Sequence, residues 1–288
     1  MEKPSGFSLA VTQVLNALRD YFEMHSHDIV HEKPEFREII KATIIKCYEF
    51  SISLTKNNTD YMFFALPALR GICEEYIVEK FIFEHLNEEK DQIILLKSNY
   101  DRLKSSIAQW KYFELYRADQ KIYYENDFPE KLEATETELR RLIRNKLPNI
   151  SNKSIFPSVY YMSKETGLHE LYNYLYHASS TFVHFNPNNL LRMGWGELPK
   201  LQFSTSNFKL YYKDFLMFYS VLLLSNLCEW QYANDFLPGF NVKHINILND
   251  ILQRAERWPE LVTFEEMNIG AFSKNLLYNS PNDAKNKF

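Results

Sequence analysis

Apolar residues recur at helical spacing along almost the whole of this chain, and no run alternates with a period of two over more than about five residues. A chain patterned this way can bury its apolar positions only by packing helix on helix. The sequence therefore predicts an all-α, multi-helix bundle. The 288 residues contain only seven glycines, too few for a glycine-rich phosphate loop, a Rossmann crossover or a turn-dense β sandwich. Hydrophobic residues make up 45% and aromatic residues 16%, enough for a substantial core.

Breaks in the pattern divide the chain. A first helix is expected over 8–30 and a second after Pro34. The third, about 60–86, contains Pro67, which should kink it or mark its true start. Residues 88–118 and 130–146 read as charged amphipathic helices that form a protruding hairpin. Residues 147–164 have linker character. Further helices are expected over 207–236, stopped by Pro238 and Gly239, and over about 241–257. These features suggest one helical domain over 1–258, with 88–146 as an inserted hairpin and 259–288 as an irregular tail.

The net charge of −4 is mild and gives no global reason to expect nucleic acid or an acidic membrane. Cys47, Cys73 and Cys228 are far apart in apolar surroundings and read as buried free thiols, which suits a reducing cytoplasm. The N-terminal segment lacks the apolar core and cleavage site of a leader. The longest apolar run, Phe215 to Leu224, is far short of a bilayer span. A cytoplasmic protein without membrane contact or cofactor is the expectation.

The stretch from Leu168 to Leu190 carries the candidate chemistry. It reads as a helix that is aromatic nearly all round, with one line of polar groups: Asn173, His177, Ser180 and His184. Steps of four, three and four residues put them on one face. On a helix this apolar the line should be buried, and buried polar groups need partners. The third helix is the expected mate, with Arg70 and Glu74 four residues apart. Arg70, Glu74, His177 and His184 would form either a buried network that fixes helix register or a site that binds an anion and moves protons. Ser180, Tyr176 and Asn173 would position a substrate. Histidine titrates near neutrality, and arginine offers a fork matched to phosphate. His177 and His184 stand about 10 Å apart along the axis, so they would not act on one atom. His184, near the helix end, is the better candidate for acid–base work.

Two further clusters carry titratable or basic side chains. His25, His27, Asp28 and His31 lie before Pro34, with Glu23, His27 and His31 on one face at a spacing that histidine metal sites use. They read best as a solvated helix end. The basic run Arg140, Arg141, Arg144 and Lys146 follows the acidic stretch Glu133 to Glu138 and reads best as a charged helix face.

The pairing of LRGICEE with a later Tyr-x3-Ser-x3-His-x2-Pro segment resembles a family of uncharacterised bacterial all-helical proteins. Arg70, Glu74, Tyr176, Ser180 and His184 carry the likeness over roughly residues 35–235. Phe185 and Asn186 separate His184 from Pro187, where the family pattern has them adjacent. The resemblance implies a HEPN-like helical fold. It also implies RNA or a nucleotide as ligand, a defence or toxin-type role, and dimerisation across a shared site. The Arg-x4–6-His motif of HEPN ribonucleases is absent, because Ser179, Ala178 and His177 occupy the three permitted arginine positions. The competing expectation is a non-catalytic interaction module that binds a protein partner through residues 88–146.

Overall fold

The computed structural model describes residues 6–27, 35–56, 61–148, 154–184, 193–195, 202–207 and 209–260. The fold is all-α, with one two-residue strand pair among the described residues. Packing divides the chain into two compact units. The first comprises 1–28, 42–73 and 170–288, and the second 29–41 and 74–169. Helix α3 (Glu35–Leu54) and helix α4 (Met62–His85) each contribute residues to both.

The first unit is built on α9 (Lys209–Ala233). This helix is buried nearly all round from Phe215 to Leu224, so it sits at the centre of a core rather than over one. Helix α10 (Lys243–Gln253) packs on α9 through the stripe Ile245, Leu248 and Leu252, spaced three and four apart. Helix α1 (Gly6–Ala17) packs on both. Helix α2 (Arg19–His27) follows a turn at Leu18, where the i→i−4 bonds Leu18 to Val14 and Phe22 to Leu18 are still made. The expected single first helix is thus two nearly continuous segments. Phe22 is buried and stacks on Tyr48 at 4.5 Å, joining α2 to α3.

Helix α9 stops before Pro238. Asp235 takes a left-handed conformation (φ 59°), and the Phe236 N–H returns to the Gln231 carbonyl at 2.9 Å. This closes the last turn as a Schellman-type cap does, with aspartate in the place glycine usually takes. Pro238 therefore follows a stop already made. The loop after α8 (His169–Val183) holds an antiparallel pair, β1 (Gly194–Trp195) and β2 (Gln202–Phe203), with Gly194 opposite Phe203. Such a short pair carries no alternation to read.

In the second unit, α5 (Lys90–Tyr116) and α6 (Phe128–Lys146) form an antiparallel hairpin. Lys146 at the end of α6 meets Glu88 and Glu89 ahead of α5. Asn99 donates to Thr135 midway, and Trp110 stacks on Tyr124 at 4.6 Å near the turn. The thin stripe Phe128, Thr135, Leu139, Leu142 and Ile143 is the buried face of α6. Asp91 accepts from the Phe36 N–H at 3.0 Å, satisfying one of the orphan donors at the start of α3.

One expectation is narrowed and one corrected here. Helix α4 begins at Met62 and passes through Pro67, so of the two alternatives, a kink or the true start, the start is excluded. Proline removes one ladder bond, and burial of Met62, Ala65, Leu66 and Leu69 around it outweighs that loss. The linker-like stretch also contains a helix, α7 (Val159–Glu165). Ser158 caps it by accepting from the Tyr161 N–H, and Gly167 (φ 71°) closes it as the Leu168 N–H reaches the Ser163 carbonyl at 2.9 Å. No atom would crowd a Cβ at Gly167, so only the positive φ opposes a side chain. Gly167→Ala should therefore cost about 1 kcal/mol of stability, measurable as a shift in denaturant midpoint.

All three cysteines are buried and free, as expected from the sequence. Burial pushes the Cys228 thiol well above its ordinary value.

Candidate functional site

Helix α8 presents two faces. At roughly 100° per residue, Asn173, His177, Ser180 and His184 fall within about 60° of one another. The opposite side carries the buried Leu175, Ala178 and Ser179. Phe182 on that side meets Phe63 at 4.9 Å and Tyr212 at 5.7 Å, which ties α8 to the first part of α4 and to α9.

The polar line is not buried. His177 and His184 are exposed, and Asn173 and Ser180 are half-buried. The helix was expected to be buried on all sides because its tyrosines count as apolar. Tyr174 is instead placed by its hydroxyl at the edge of the core. Tyr174 donates to the Pro259 carbonyl at 3.0 Å, and Tyr219 donates to the same oxygen at 2.9 Å. Burial, and then the neighbouring Tyr174, raise the Tyr219 phenol far above its usual range.

Arg70 is brought to this helix. Its guanidinium carbon lies 4.4 Å from the centroid of the Tyr176 ring, within cation–π range. Tyr176 is itself bracketed by Tyr172 at 5.6 Å and by the edge of His177 at 5.8 Å. Phe63 meets Phe182 while Arg70 meets Tyr176, so α4 and α8 run antiparallel here. Arg70 is half-buried, and one of its contacts is the tyrosine ring beside the histidine line on α8. Glu74, also half-buried, lies one turn further along α4, where the chain enters the second unit. The backbone N–H of His184 donates to the Ser180 carbonyl at 3.0 Å, so His184 closes the last turn of α8.

Of the predicted set, Arg70, Tyr176, His177, Ser180, His184 and Asn173 therefore share one unit. Arg70 stacks beside a solvent-facing line of polar groups. Stacking occupies the face of a guanidinium, while its N–H donors lie in the plane of the group and address acceptors at its edge.

The other clusters resolve differently. His25 is buried and stacks on Tyr21 at 5.6 Å, so it is not part of a solvated helix end. The side chain of His27, and Asp28 and His31, lie outside the described residues. Among the described residues no group of three or more histidine, cysteine or acidic side chains could hold a metal. The basic run of α6 is matched by acids. Arg140 meets Glu136 at 2.6 Å, Arg141 meets Glu138 at 2.7 Å, and Lys146 meets Glu88. This is the charged helix face read from the sequence. No helix among the described residues is long and apolar enough to cross a membrane.

A cleft in the first unit was missed by sequence reasoning. It has a volume of about 840 Å³, lined by residues of α1, α9 and the segment after α10, Asp214 and Trp258 among them. Its only sequence signal was an aspartate immediately before the apolar stretch of α9.

An all-helical fold with an arginine-flanked polar face on one helix defines a class of protein, not an individual one. A family model matches residues 42–197, more than half of the chain, and the protein belongs to this family of unknown function, DUF5677. Arg70 and the whole of α8 lie within the match. No curated protein and no solved structure shows significant similarity to the chain.

Proposed function

We propose that the solvent-facing side of α8, with Arg70, binds a phosphate-bearing ligand, RNA or a nucleotide, and processes it in the manner of a HEPN-like effector of a defence or toxin-type system. The observation that carries this reading is Arg70 held against Tyr176 at 4.4 Å beside a face that exposes both His177 and His184. A guanidinium supplies charge and a fork for phosphate oxygens. An accessible imidazole supplies acid–base chemistry near neutral pH. His184 acts on the reacting group, Arg70 and His177 hold phosphate, and Ser180, Tyr176 and Asn173 position the ligand. Glu74, four residues after Arg70 on the same helix, balances the local charge. The missing Arg-x4–6-His arrangement is replaced by an arginine supplied from a different helix. The test is turnover of labelled single-stranded RNA and of nucleoside triphosphates by the purified chain and by its His184→Ala and Arg70→Ala variants.

A second reading is favoured by a different observation. Tyr112, Leu115 and Tyr116 lie three and four residues apart on one face of α5, are 60%, 73% and 63% exposed, and are joined by a Tyr112–Tyr116 contact at 4.8 Å. Three large apolar side chains together on a surface mark an interaction patch. On this reading the protein is a non-catalytic module that engages a protein partner, or a second copy, through the hairpin. Replacing Tyr112, Leu115 and Tyr116 with serine then removes the protein's cellular effect, while His184→Ala leaves it intact. The opposite pattern sinks this reading.

A further inference from the structure

The cleft of about 840 Å³ lies within the first unit and contains none of the residues proposed above for phosphate chemistry. Its apolar part is aromatic. Phe218 is 1% exposed, and two rings of the cleft lining meet it, Phe7 at 5.7 Å, nearly parallel, and Trp258 at 5.0 Å. Trp258 is 51% exposed although it packs on a core ring. The neighbouring Pro259 carbonyl, which accepts from both Tyr174 and Tyr219, holds that segment in place. The indole thus forms a fixed wall that still faces solvent.

The charged part has one notable member. Asp214 stands four residues before Phe218 on α9, on the same helix face. Its carboxylate makes no hydrogen bond or ion pair among the described residues. The two arginines of the lining have other carboxylates: Arg254 meets Asp250 at 2.6 Å, and Arg257 meets Glu260 at 2.9 Å. Glu256, also in the lining, adds to the negative side. Asp214 is exposed as a residue, yet the concave wall around it desolvates the carboxyl and raises its pKa above the usual aspartate value.

We propose that this cleft is a binding site for a small organic cation, an amine with an aromatic body, whose ammonium group pairs with Asp214 and whose ring packs against Phe7 and Trp258, the two rings that cover the buried Phe218. Charge complementarity selects the class. A carboxylate that has no hydrogen bond or ion pair among the described residues, and only the Coulombic influence of neighbouring Lys213, favours a cation over an anion or a neutral body. Electron-rich ring faces, Trp258 above all, favour the same charge. The volume suits a ligand of metabolite size.

The test is isothermal titration calorimetry on the full chain with three probes of similar shape: 2-phenylethylamine, 2-phenylethanol and 3-phenylpropionate. The amine should bind roughly tenfold or more tightly than the alcohol, and the carboxylate most weakly, as expected for one accessible charge pair. Asp214→Asn keeps the shape of an exposed side chain and should weaken the amine about tenfold while leaving the alcohol unchanged. Trp258→Ala should weaken all three. The proposal is overturned if no probe binds, if the three bind alike, or if Asp214→Asn leaves amine binding unchanged. His184→Ala should not alter amine binding, so failure of the phosphate site and failure of this one read out separately.

Discussion

If α8 carries the proposed phosphate chemistry, His184→Ala should lower RNA or nucleotide turnover by about a hundredfold or more while the melting temperature moves by only a few degrees. The size follows from the role, since removing a positioned acid–base group typically costs two to four orders of magnitude. The small stability change follows from the position. The imidazole is exposed at the end of α8, and its backbone N–H bond to Ser180 survives the substitution. Surface changes of this kind stay within about 0.5 kcal/mol. Arg70 separates binding from chemistry. Arg70→Ala should raise KM more than it lowers kcat, and Arg70→Lys should recover little, because an ammonium neither stacks on Tyr176 as a plane nor presents a fork. Turnover undiminished by His184→Ala, or a large stability loss with unchanged turnover, would falsify the proposed role.

Phe22→Ala has the largest expected effect on stability, about 3–5 kcal/mol. Phe22 is buried between elements distant in sequence. It stacks on Tyr48 of α3 at 4.5 Å and meets Phe240, in the segment before α10, at 6.2 Å. Tyr48 is fixed by its own hydroxyl, which donates to the Leu15 carbonyl, so it cannot turn to fill the space left behind. The loss should appear as a lower denaturant midpoint for the transition that unfolds the first unit. A change under about 1 kcal/mol would show that this region relaxes around the cavity.

The all-α class was legible because a 3.6-residue period survives single substitutions and needs no long-range information. The α5–α6 hairpin was legible for the same reason, since its thin stripe and its acid-before-base pairs are local patterns. Helix ends were less so. Pro67 read as either a kink or the start of its helix, and Pro238 looked like the stop for α9. The α4 ladder continues because its surroundings are apolar, and α9 is closed by Asp235, a residue with only modest left-handed preference. Helix α7 lay hidden in a stretch whose proline and serines resemble a linker, because seven residues are too few to display a period.

The candidate site divides along the same line. Sequence spacing by itself determined that Asn173, His177, Ser180 and His184 share a face, because residue spacing fixes angular position on any helix. It also named Arg70 as the neighbour expected from another helix. Which way that face points was a tertiary decision. Tyrosine reads as apolar in a periodicity argument but carries a hydroxyl that must find an acceptor at the core's edge. Tyr174 finds Pro259, and the histidine line turns to solvent. The cleft around Asp214 is tertiary altogether, since its walls come from residues near 7, 214 and 258 and no local pattern joins them. The two compact units are equally beyond local reading, because α3 and α4 pass unbroken from one to the other and helical periodicity gives no sign of which core each turn will join.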